Sequence, residues 1–239
     1  MSLVPIPFDG TQLGDLFPRL RPPLASMMLL GGMTAALKLK EIGVDDFLIL
    51  ERRSFAGGTW CQNTYPGAAV DVPSTLYSLS TEPFAWRQKL ADQSELHAYT
   101  EGVMTKHRLR EKTRLGATVT QVRWQEQDQC WQVDTEAAGS FRARFLINAS
   151  GPLSHAKIPD FPGRDTFQGK TFHTNAWDHD YKHQGKRVAI IGSGASAAQV
   201  IPAIAPDVKH LHVFQRTPHW VLPRPDRKFT PFQRTLLKS

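Results

Sequence analysis

The chain of 239 residues has little cysteine, and this scarcity excludes two common classes of small protein. Its two cysteines, Cys61 and Cys130, are too few for a disulfide framework or a zinc site. A long apolar run is also lacking, because the stretch at 27–30 is too short to span a bilayer and has none of the flanks of a signal peptide. These absences favour a cytoplasmic protein with no metal site and no membrane span.

Basic charge is present but not concentrated. Lys and Arg number 29 against 22 Asp and Glu, giving a net charge of +7, and no basic helix or aromatic RNA-binding motif accompanies the excess. We therefore expect no nucleic-acid partner and favour small polyanions such as dinucleotides. Hydrophobic residues at 41% and charged residues at 21% are typical of a globular protein, long enough for one large domain or two modest ones.

The apolar pattern predicts two strand–helix–strand units with an antiparallel meander between them. We therefore expect an α/β fold with three layers, in which two Rossmann-like dinucleotide-binding units flank a β-meander insertion. The predicted elements, in chain order, are a helix (32–42) ended by Gly43, a strand (47–50), a helix (93–107), three antiparallel strands (118–124, 131–135, 141–148), a strand (187–191), a helix from 195 and a strand (210–215).

The second unit carries the motif Gly192-Ser193-Gly194-Ala195-Ser196-Ala197 directly after its first predicted strand. In such a motif Gly192 permits a tight turn, Gly194 lets a pyrophosphate approach the backbone, and Ala197 allows close helix–sheet packing. The amides of the helix N-terminus then face the phosphates. A glycine turn that binds nothing is the alternative.

The same motif is degenerate in the first unit. Gly31 and Gly32 remain, but Met27 and Leu29 occupy the places of its first two glycines. Arg21-Pro-Pro23 stands where the preceding strand is expected, so we predict that this strand is missing and that residues 1–23 form an irregular leader. Bulky side chains in place of glycine should hinder close approach of a pyrophosphate.

Matched positions of the two units carry opposite charge. Glu51 lies 19 positions beyond Gly32, and Arg216 lies 19 positions beyond Ala197. A carboxylate at this place hydrogen-bonds free ribose hydroxyls, whereas an arginine binds a 2′-phosphate. The first unit is therefore predicted to prefer FAD and the second NADPH over NADH. Two ordinary surface charges are the alternative interpretation.

Several further motifs resemble one enzyme family. The run Phe167-Gln-Gly169-Lys-Thr-Phe-His173-Thr174-Asn-Ala-Trp177-Asp178 is similar to the fingerprint of class B flavoprotein monooxygenases, the Baeyer–Villiger and flavin-containing type. The resemblance extends over about 31–232 and rests on the segments Gly57-Gly58-Thr59-Trp60, Asn63-Thr-Tyr65-Pro66-Gly67-Ala68, Asp71, Ile147-Asn-Ala-Ser150-Gly151 and Phe214-Gln215-Arg216-Thr217-Pro218.

This resemblance implies an FAD-binding domain at 24–150, with a degenerate first strand, and an incomplete NADPH-binding domain with the fingerprint linker at 151–239. Asp71 would lie near the flavin ring and the nicotinamide, and His173 would couple the domains. The residues implied to contact FAD are Gly32, Glu51, Gly58, Thr59, Trp60, Asp71 and Tyr77. Those implied to contact NADPH are Gly192, Ser193, Gly194, Ala195, Ser196, Arg216 and Thr217.

The implied activity is an NADPH-dependent flavin monooxygenase. NADPH would reduce FAD, and O₂ would give a C4a-peroxyflavin that oxygenates a ketone or a soft nucleophile in a small-molecule substrate. Family members are much longer, however, and their active-site arginine cannot be assigned here. A non-catalytic nucleotide-binding module, or a fragment that needs a complementing chain, is the alternative. A flavin disulfide reductase is a third, but its chemistry requires a closely spaced cysteine pair.

Overall fold

The computed structural model describes residues 25–26, 29–151, 155–220 and 222–238. Contacts divide these residues into two units: unit 1 comprises those within Met1–Ala56 and Met104–Pro152, and unit 2 those within Gly57–Val103 and Leu153–Ser239. The predicted leader and Met27 lie outside the described residues. Residues 57–103, which we placed in the first domain, group with unit 2 by contacts. The assignment of a cofactor to each range stays a prediction.

Unit 1 is built on a four-stranded parallel sheet of order β3-β2-β1-β7. The prediction that the first strand is missing was wrong, since two residues of β1 pair with β2 on one side and β7 on the other. Strand pairing uses backbone groups, so a strand can form where the side chains give no strand pattern. The elements are β1 (Ala25–Ser26), α1 (Leu29–Glu41), β2 (Leu48–Leu50), β3 (Thr113–Arg114) and β7 (Leu146–Ile147).

Helix α1 ends at the glycine expected to end it. Gly43 has a φ of 80°, and its N–H donates to Lys40 O at 3.1 Å while Val44 N–H donates to Leu39 O at 2.8 Å. These bonds satisfy carbonyl groups at the end of the helix, and a left-handed residue at this position favours glycine. The predicted helix 32–42 and strand 47–50 are thus confirmed to within a few residues.

An antiparallel meander of order β4-β5-β6 completes unit 1, with β4 at Val119–Gln125, β5 at Cys130–Thr135 and β6 at Ser140–Ala143. The strand predicted at 141–148 is in fact two, because the chain leaves the meander after β6 and β7 joins the parallel sheet. The core of unit 1 is centred on Leu50, Ala117 and Val133, each 0% exposed, so the meander packs on β2.

Unit 2 contains the second predicted strand–helix–strand. Strands β8 (Arg187–Ile191) and β9 (His210–Phe214) pair in parallel over five residues, and helix α4 (Ala195–Ile204) connects them. On α4, Val200 and Ile204 are buried against the sheet. The predicted strands and helix are confirmed, and Pro202 lies inside the helix without ending it.

The remaining helices are short except for α3, which confirms the predicted helix 93–107. They are α2 (Gly58–Gln62), α3 (Gln93–Lys106), α5 (Pro231–Leu236), and 3₁₀ turns at Ser74–Leu76, Leu109–Lys112, Arg164–Thr166 and Thr174–Ala176. Asp92 Oδ1 caps α3 by accepting from Glu95 N at 2.9 Å. Among the described residues, none of the helices has the length and apolarity to cross a bilayer.

Candidate nucleotide-binding sites

The glycine turn after β8 leaves open space above its backbone. Gly192 has a φ of 109°, which favours glycine, and its N–H donates to Phe214 O at 2.9 Å. Gly194 has an ordinary φ of −71°, and a Cβ built on either glycine would meet no atom within 4 Å. The fold of the described residues therefore has no need of glycine at 194, whereas a phosphate approaching the backbone does.

The N-terminus of α4 has no side-chain cap. Gly194 occupies the N-cap position and has no side chain to cap the helix, so its first amides have no side-chain cap within the part of the chain that the structure describes. These amides belong to Ala195, Ser196 and Ala197. Ala197 itself is 8% exposed, in agreement with its predicted role in close helix–sheet packing. Free amides and the helix dipole together favour an anion at this place.

The strand that follows brings a cation to the same turn. Arg216 lies two residues beyond the end of β9, and Ser193 Oγ donates to Thr217 O at 3.4 Å. The Arg216 side chain is exposed and forms no ion pair with any described residue. Its guanidinium is thus available to an external phosphate, although an ordinary surface charge remains the alternative.

The first unit uses its glycines differently. A Cβ on Gly31 would lie 3.0 Å from Ala149 Cβ, so this glycine permits α1 to pack closely on the chain that follows β7. Gly32 is buried. Leu29 lies in the first turn of α1. The glycines that remain in this degenerate motif therefore serve packing between helix and sheet.

Glu51 is buried at the carboxyl end of β2, with 8% of its surface exposed. Its backbone N–H donates to Arg114 O at 2.9 Å, and its carboxylate Oε1 accepts from Arg53 N at 3.0 Å. A carboxylate at a parallel strand end is where ribose hydroxyls bind in this type of fold. The alternative that Glu51 is a plain surface charge was wrong.

A glycine pair shapes the loop that begins unit 2. Gly57 has a φ of 140° and Gly58 a φ of 51°, and a Cβ on Gly57 would lie 1.6 Å from Cys61 Sγ. After them, Thr59 and Trp60 form the short helix α2. The Trp60 ring meets the Tyr77 ring edge-on, with their centroids 5.8 Å apart. The structure therefore brings together two of the residues that the resemblance implies contact FAD.

Asp71 lies at the end of a loop that packs on α4. Its Oδ1 accepts a hydrogen bond from Gln199 Nε2 at 2.9 Å. Gly67, with a φ of 82°, approaches the same helix so closely that a Cβ would lie 2.6 Å from Gln199 O. Sequence analysis missed Gln199. The one available signal was a long polar side chain in an otherwise small and apolar helix.

Two tyrosines lie near the Asp71 carboxylate. Burial raises the pKa of Tyr65 and of Tyr77 above the ordinary value of 10.0, and the negative charge of Asp71 raises each pKa further. Both phenols are therefore neutral at physiological pH. The two phenol OH groups can therefore donate hydrogen bonds near the carboxylate and add no negative charge to it.

Several residues of the fingerprint stabilise the local fold. A Cβ on Gly169 would lie 2.4 Å from Phe167 Cζ, so the Phe167 ring covers this glycine. Trp177 packs against the buried core of unit 2. Asp178 accepts from Lys170 Nζ at 2.6 Å and holds the pKa of that lysine above its usual value. Four fingerprint positions are thus explained by folding alone.

His173 caps a short turn. Its Nδ1 accepts from Asn175 N at 3.2 Å and lies 3.0 Å from Asn175 Oδ1, and the ring is half-buried. Among the described residues, the hydrogen bonds of its ring are made with Asn175 in this turn. A histidine that only satisfies its own hydrogen bonds is therefore the alternative to a functional one. Its role in coupling the domains stays a prediction.

The geometry agrees with comparisons to known proteins. A family model described as pyridine nucleotide-disulphide oxidoreductase matches residues 31–238. The chain is 46% identical over 210 residues to a Baeyer-Villiger monooxygenase of Streptomyces coelicolor, and covers 40% of it. It is 37% identical over 229 residues to an FAD-binding monooxygenase of Aspergillus niger, and covers 38% of it. These matches take in 87% and 89% of the chain.

A solved structure shows the same fold. The cyclohexanone monooxygenase from Rhodococcus sp. Phi1 bound to NADP⁺ superposes with a TM-score of 0.84 at 36% identity, over 91% of this chain and 43% of that one. The predicted α/β fold with Rossmann-type units is confirmed. The chain spans about two fifths of the length of these relatives. It belongs to the pyridine nucleotide-disulphide oxidoreductase family, and these relatives confirm its resemblance to class B flavin monooxygenases.

Proposed function

We propose that the chain binds FAD and NADPH as part of a monooxygenase that oxygenates a ketone or a soft nucleophile with O₂. The observation that carries the proposal is Gly194. Its backbone is ordinary and its surroundings are open, so only an external molecule gains from its missing side chain.

The residues of the second turn fit an NADP-type nucleotide. The uncapped start of α4 offers amides to a pyrophosphate, and the exposed guanidinium of Arg216 offers charge-assisted hydrogen bonds to a 2′-phosphate. Thr217 lies beside it, joined to the turn through Ser193. The structural neighbour bound to NADP⁺ supports this choice of ligand.

The residues of the first unit fit FAD less completely. The buried carboxylate of Glu51 suits ribose hydroxyls and disfavours a 2′-phosphate. The resemblance also implies FAD contacts for Gly58, Thr59 and Trp60. We infer that Met27 and Leu29 weaken binding at the pyrophosphate, because they replace the glycines that allow its close approach.

The flavin, when bound, supplies the redox chemistry with NADPH and O₂. The chain's own residues would bind and orient the cofactors. Asp71, which accepts from Gln199 Nε2, would place a carboxylate near the flavin, and the edge-on pair of Trp60 and Tyr77 would contact the same cofactor. The relative named cyclohexanone monooxygenase makes a ketone the first substrate class to test.

The test is a visible spectrum of the purified chain with and without added FAD, followed by NADPH-dependent oxygen uptake. The proposal expects a flavin spectrum perturbed by binding and oxygen consumption stimulated by a ketone. The absence of both flavin binding and oxygen uptake would contradict the proposal.

A non-catalytic or partner-requiring nucleotide-binding protein is the second candidate. It is favoured by Met27 and Leu29, which stand in the places of the first two glycines of the motif in the first unit. NADPH would then raise the melting temperature without flavin retention. A disulfide reductase is not supported, because Cys61 and Cys130 form no disulfide with each other and are not the closely spaced pair that its chemistry requires. The cytoplasmic location stays a prediction.

A further inference from the structure

The Gln199 side chain forms four hydrogen bonds. Its Oε1 accepts from Tyr65 OH at 3.0 Å and from Ala69 N at 3.3 Å. Its Nε2 donates to Ala69 O at 2.8 Å and to Asp71 Oδ1 at 2.9 Å. A carboxamide offers two donors and one acceptor oxygen with two lone pairs, so its capacity is fully used. Such a side chain specifies one arrangement of its partners.

The arrangement fixes the loop from Tyr65 to Asp71 against α4. Gln199 pairs with both backbone groups of Ala69, as a neighbouring strand would. Gly67 touches the backbone of the same residue, since a Cβ there would lie 2.6 Å from Gln199 O. The loop therefore has little freedom to slide along the helix.

The Asp71 carboxylate depends on this contact for its orientation. Its side chain is exposed, and Gln199 Nε2 is the one hydrogen-bond donor that the described residues provide to it. The titratable groups that face it are Tyr65 and Tyr77, whose pKa values are raised, so neither carries charge near neutral pH. Without Gln199, solvent alone would orient the carboxylate.

We propose that Gln199 is a positioning residue that holds the Asp71 carboxylate toward the flavin from the helix whose N-terminus receives the NADPH pyrophosphate. Gln199 lies five positions beyond Gly194 on the same helix. One rigid element thereby sets both the nucleotide and the carboxylate. The flavin-facing role of Asp71 rests on the proposed function, whereas the hold of Gln199 on Asp71 does not.

That hold is tested without any cofactor by NMR of the Gln199 side-chain NH₂ group during an acid titration. Protonation of Asp71 removes the acceptor charge, so the resonance of the donor should move with pH. The shift should disappear in the Asp71→Asn variant. A resonance that titrates equally in Asp71→Asn, or fails to titrate in the natural chain, overturns the proposal.

The effect on chemistry is tested by the rate at which NADPH reduces bound flavin in Gln199→Glu and Gln199→Met. Loss of a hydrogen bond to a charged group should slow reduction about tenfold at neutral pH in both variants. Acidification should restore the rate only in Gln199→Glu, because the introduced carboxyl group regains a donor when protonated. Gln88→Glu, which alters a glutamine bonded to Leu90 O at 2.8 Å, is the matched control and should stay within about twofold of the natural chain.

The two readouts separate the proposals. If the natural chain binds no flavin, the proposed function is contradicted. The NMR titration still decides whether Gln199 holds Asp71. Flavin that is reduced at the natural rate in both Gln199 variants overturns the positioning role while leaving the proposed function intact. Circular dichroism of Gln199→Glu confirms that a loss of rate is not a loss of fold.

Discussion

In unit 1 the glycine Gly31 in the first turn of α1 packs against protein, whereas in unit 2 the glycines after β8 face open space. A Cβ on Gly31 meets Ala149 at 3.0 Å, but one on Gly194 meets nothing within 4 Å. The two residues predicted to bind the ribose also differ, since Glu51 is buried whereas Arg216 is exposed and has no ion-pair partner among the described residues. The comparison teaches that a glycine of such a motif indicates a ligand only where packing of the protein does not itself require a glycine.

The largest effect is expected at Gly194. The Gly194→Thr variant places a side chain where the pyrophosphate approaches, so NADPH affinity should fall on the order of 100-fold. A threonine is also a good N-cap, so the free energy of unfolding should be unchanged or rise by a few tenths of a kcal/mol. Calorimetry and chemical denaturation measure the two. Binding that survives the substitution would remove Gly194 from the site.

A contrasting glycine in the same unit should affect only the fold. Gly67→Ala forces a side chain into a left-handed backbone and against Gln199 O, so the free energy of unfolding should drop by about 2–3 kcal/mol. Chemical denaturation measures the loss, with Gly194→Ala as the control in open space. Equal losses in the two variants would contradict the distinction between packing glycines and ligand glycines.

The buried acid of unit 1 is tested by Glu51→Gln. The amide keeps the size of the side chain and the acceptor for Arg53 N, but it removes the charged acceptor for ribose hydroxyls. FAD affinity should fall about tenfold, measured by quenching of flavin fluorescence, while NADPH affinity stays the same. A fall in NADPH affinity instead would reverse the assignment of the two units.

The smallest effect is a difference in alkaline stability. All four tyrosines of the sequence lie in unit 2, and burial raises the pKa of Tyr65, Tyr77 and Tyr99 above 10.0. A raised pKa in the folded state gives stability that is fully present below pH 10.0 and is lost as the pH rises through the folded value. Unit 2 should therefore lose stability above that pH before unit 1 does.

Absorbance at alkaline pH together with hydrogen exchange resolves this difference. The Asp71→Asn variant should reduce the alkaline loss of stability in unit 2. Removal of the negative charge should lower the pKa of Tyr77 toward its ordinary value. Equal alkaline loss in the two units would contradict the prediction.

Local signals predicted unit 2 better than unit 1. Strands β8 and β9 and helix α4 were expected at nearly their observed bounds, because apolar runs and a glycine turn mark them in the sequence. Strand β1 was not expected, since it is paired on both sides and its pairing depends on neighbouring strands that local composition does not reveal. The division of 141–148 between two sheets was equally hidden, because alternation does not show which sheet a strand joins.

The site was predictable only where its residues follow a strand or a turn. Glu51 and Arg216 were found by their matched spacing after the two motifs. Gln199 was not, because its partners lie 128 to 134 positions away along the chain. Gly169 was noted as part of a fingerprint, but only the structure relates it to the ring of Phe167.

The central claim is that opposite charges at matched positions select different nucleotides, and calorimetric titration of NADPH and NADH against the natural chain and Arg216→Ala tests it most directly. The account predicts that the natural chain binds NADPH at least about tenfold more tightly than NADH, and that Arg216→Ala abolishes the preference by weakening NADPH alone. Equal affinity for the two nucleotides in the natural chain would contradict it.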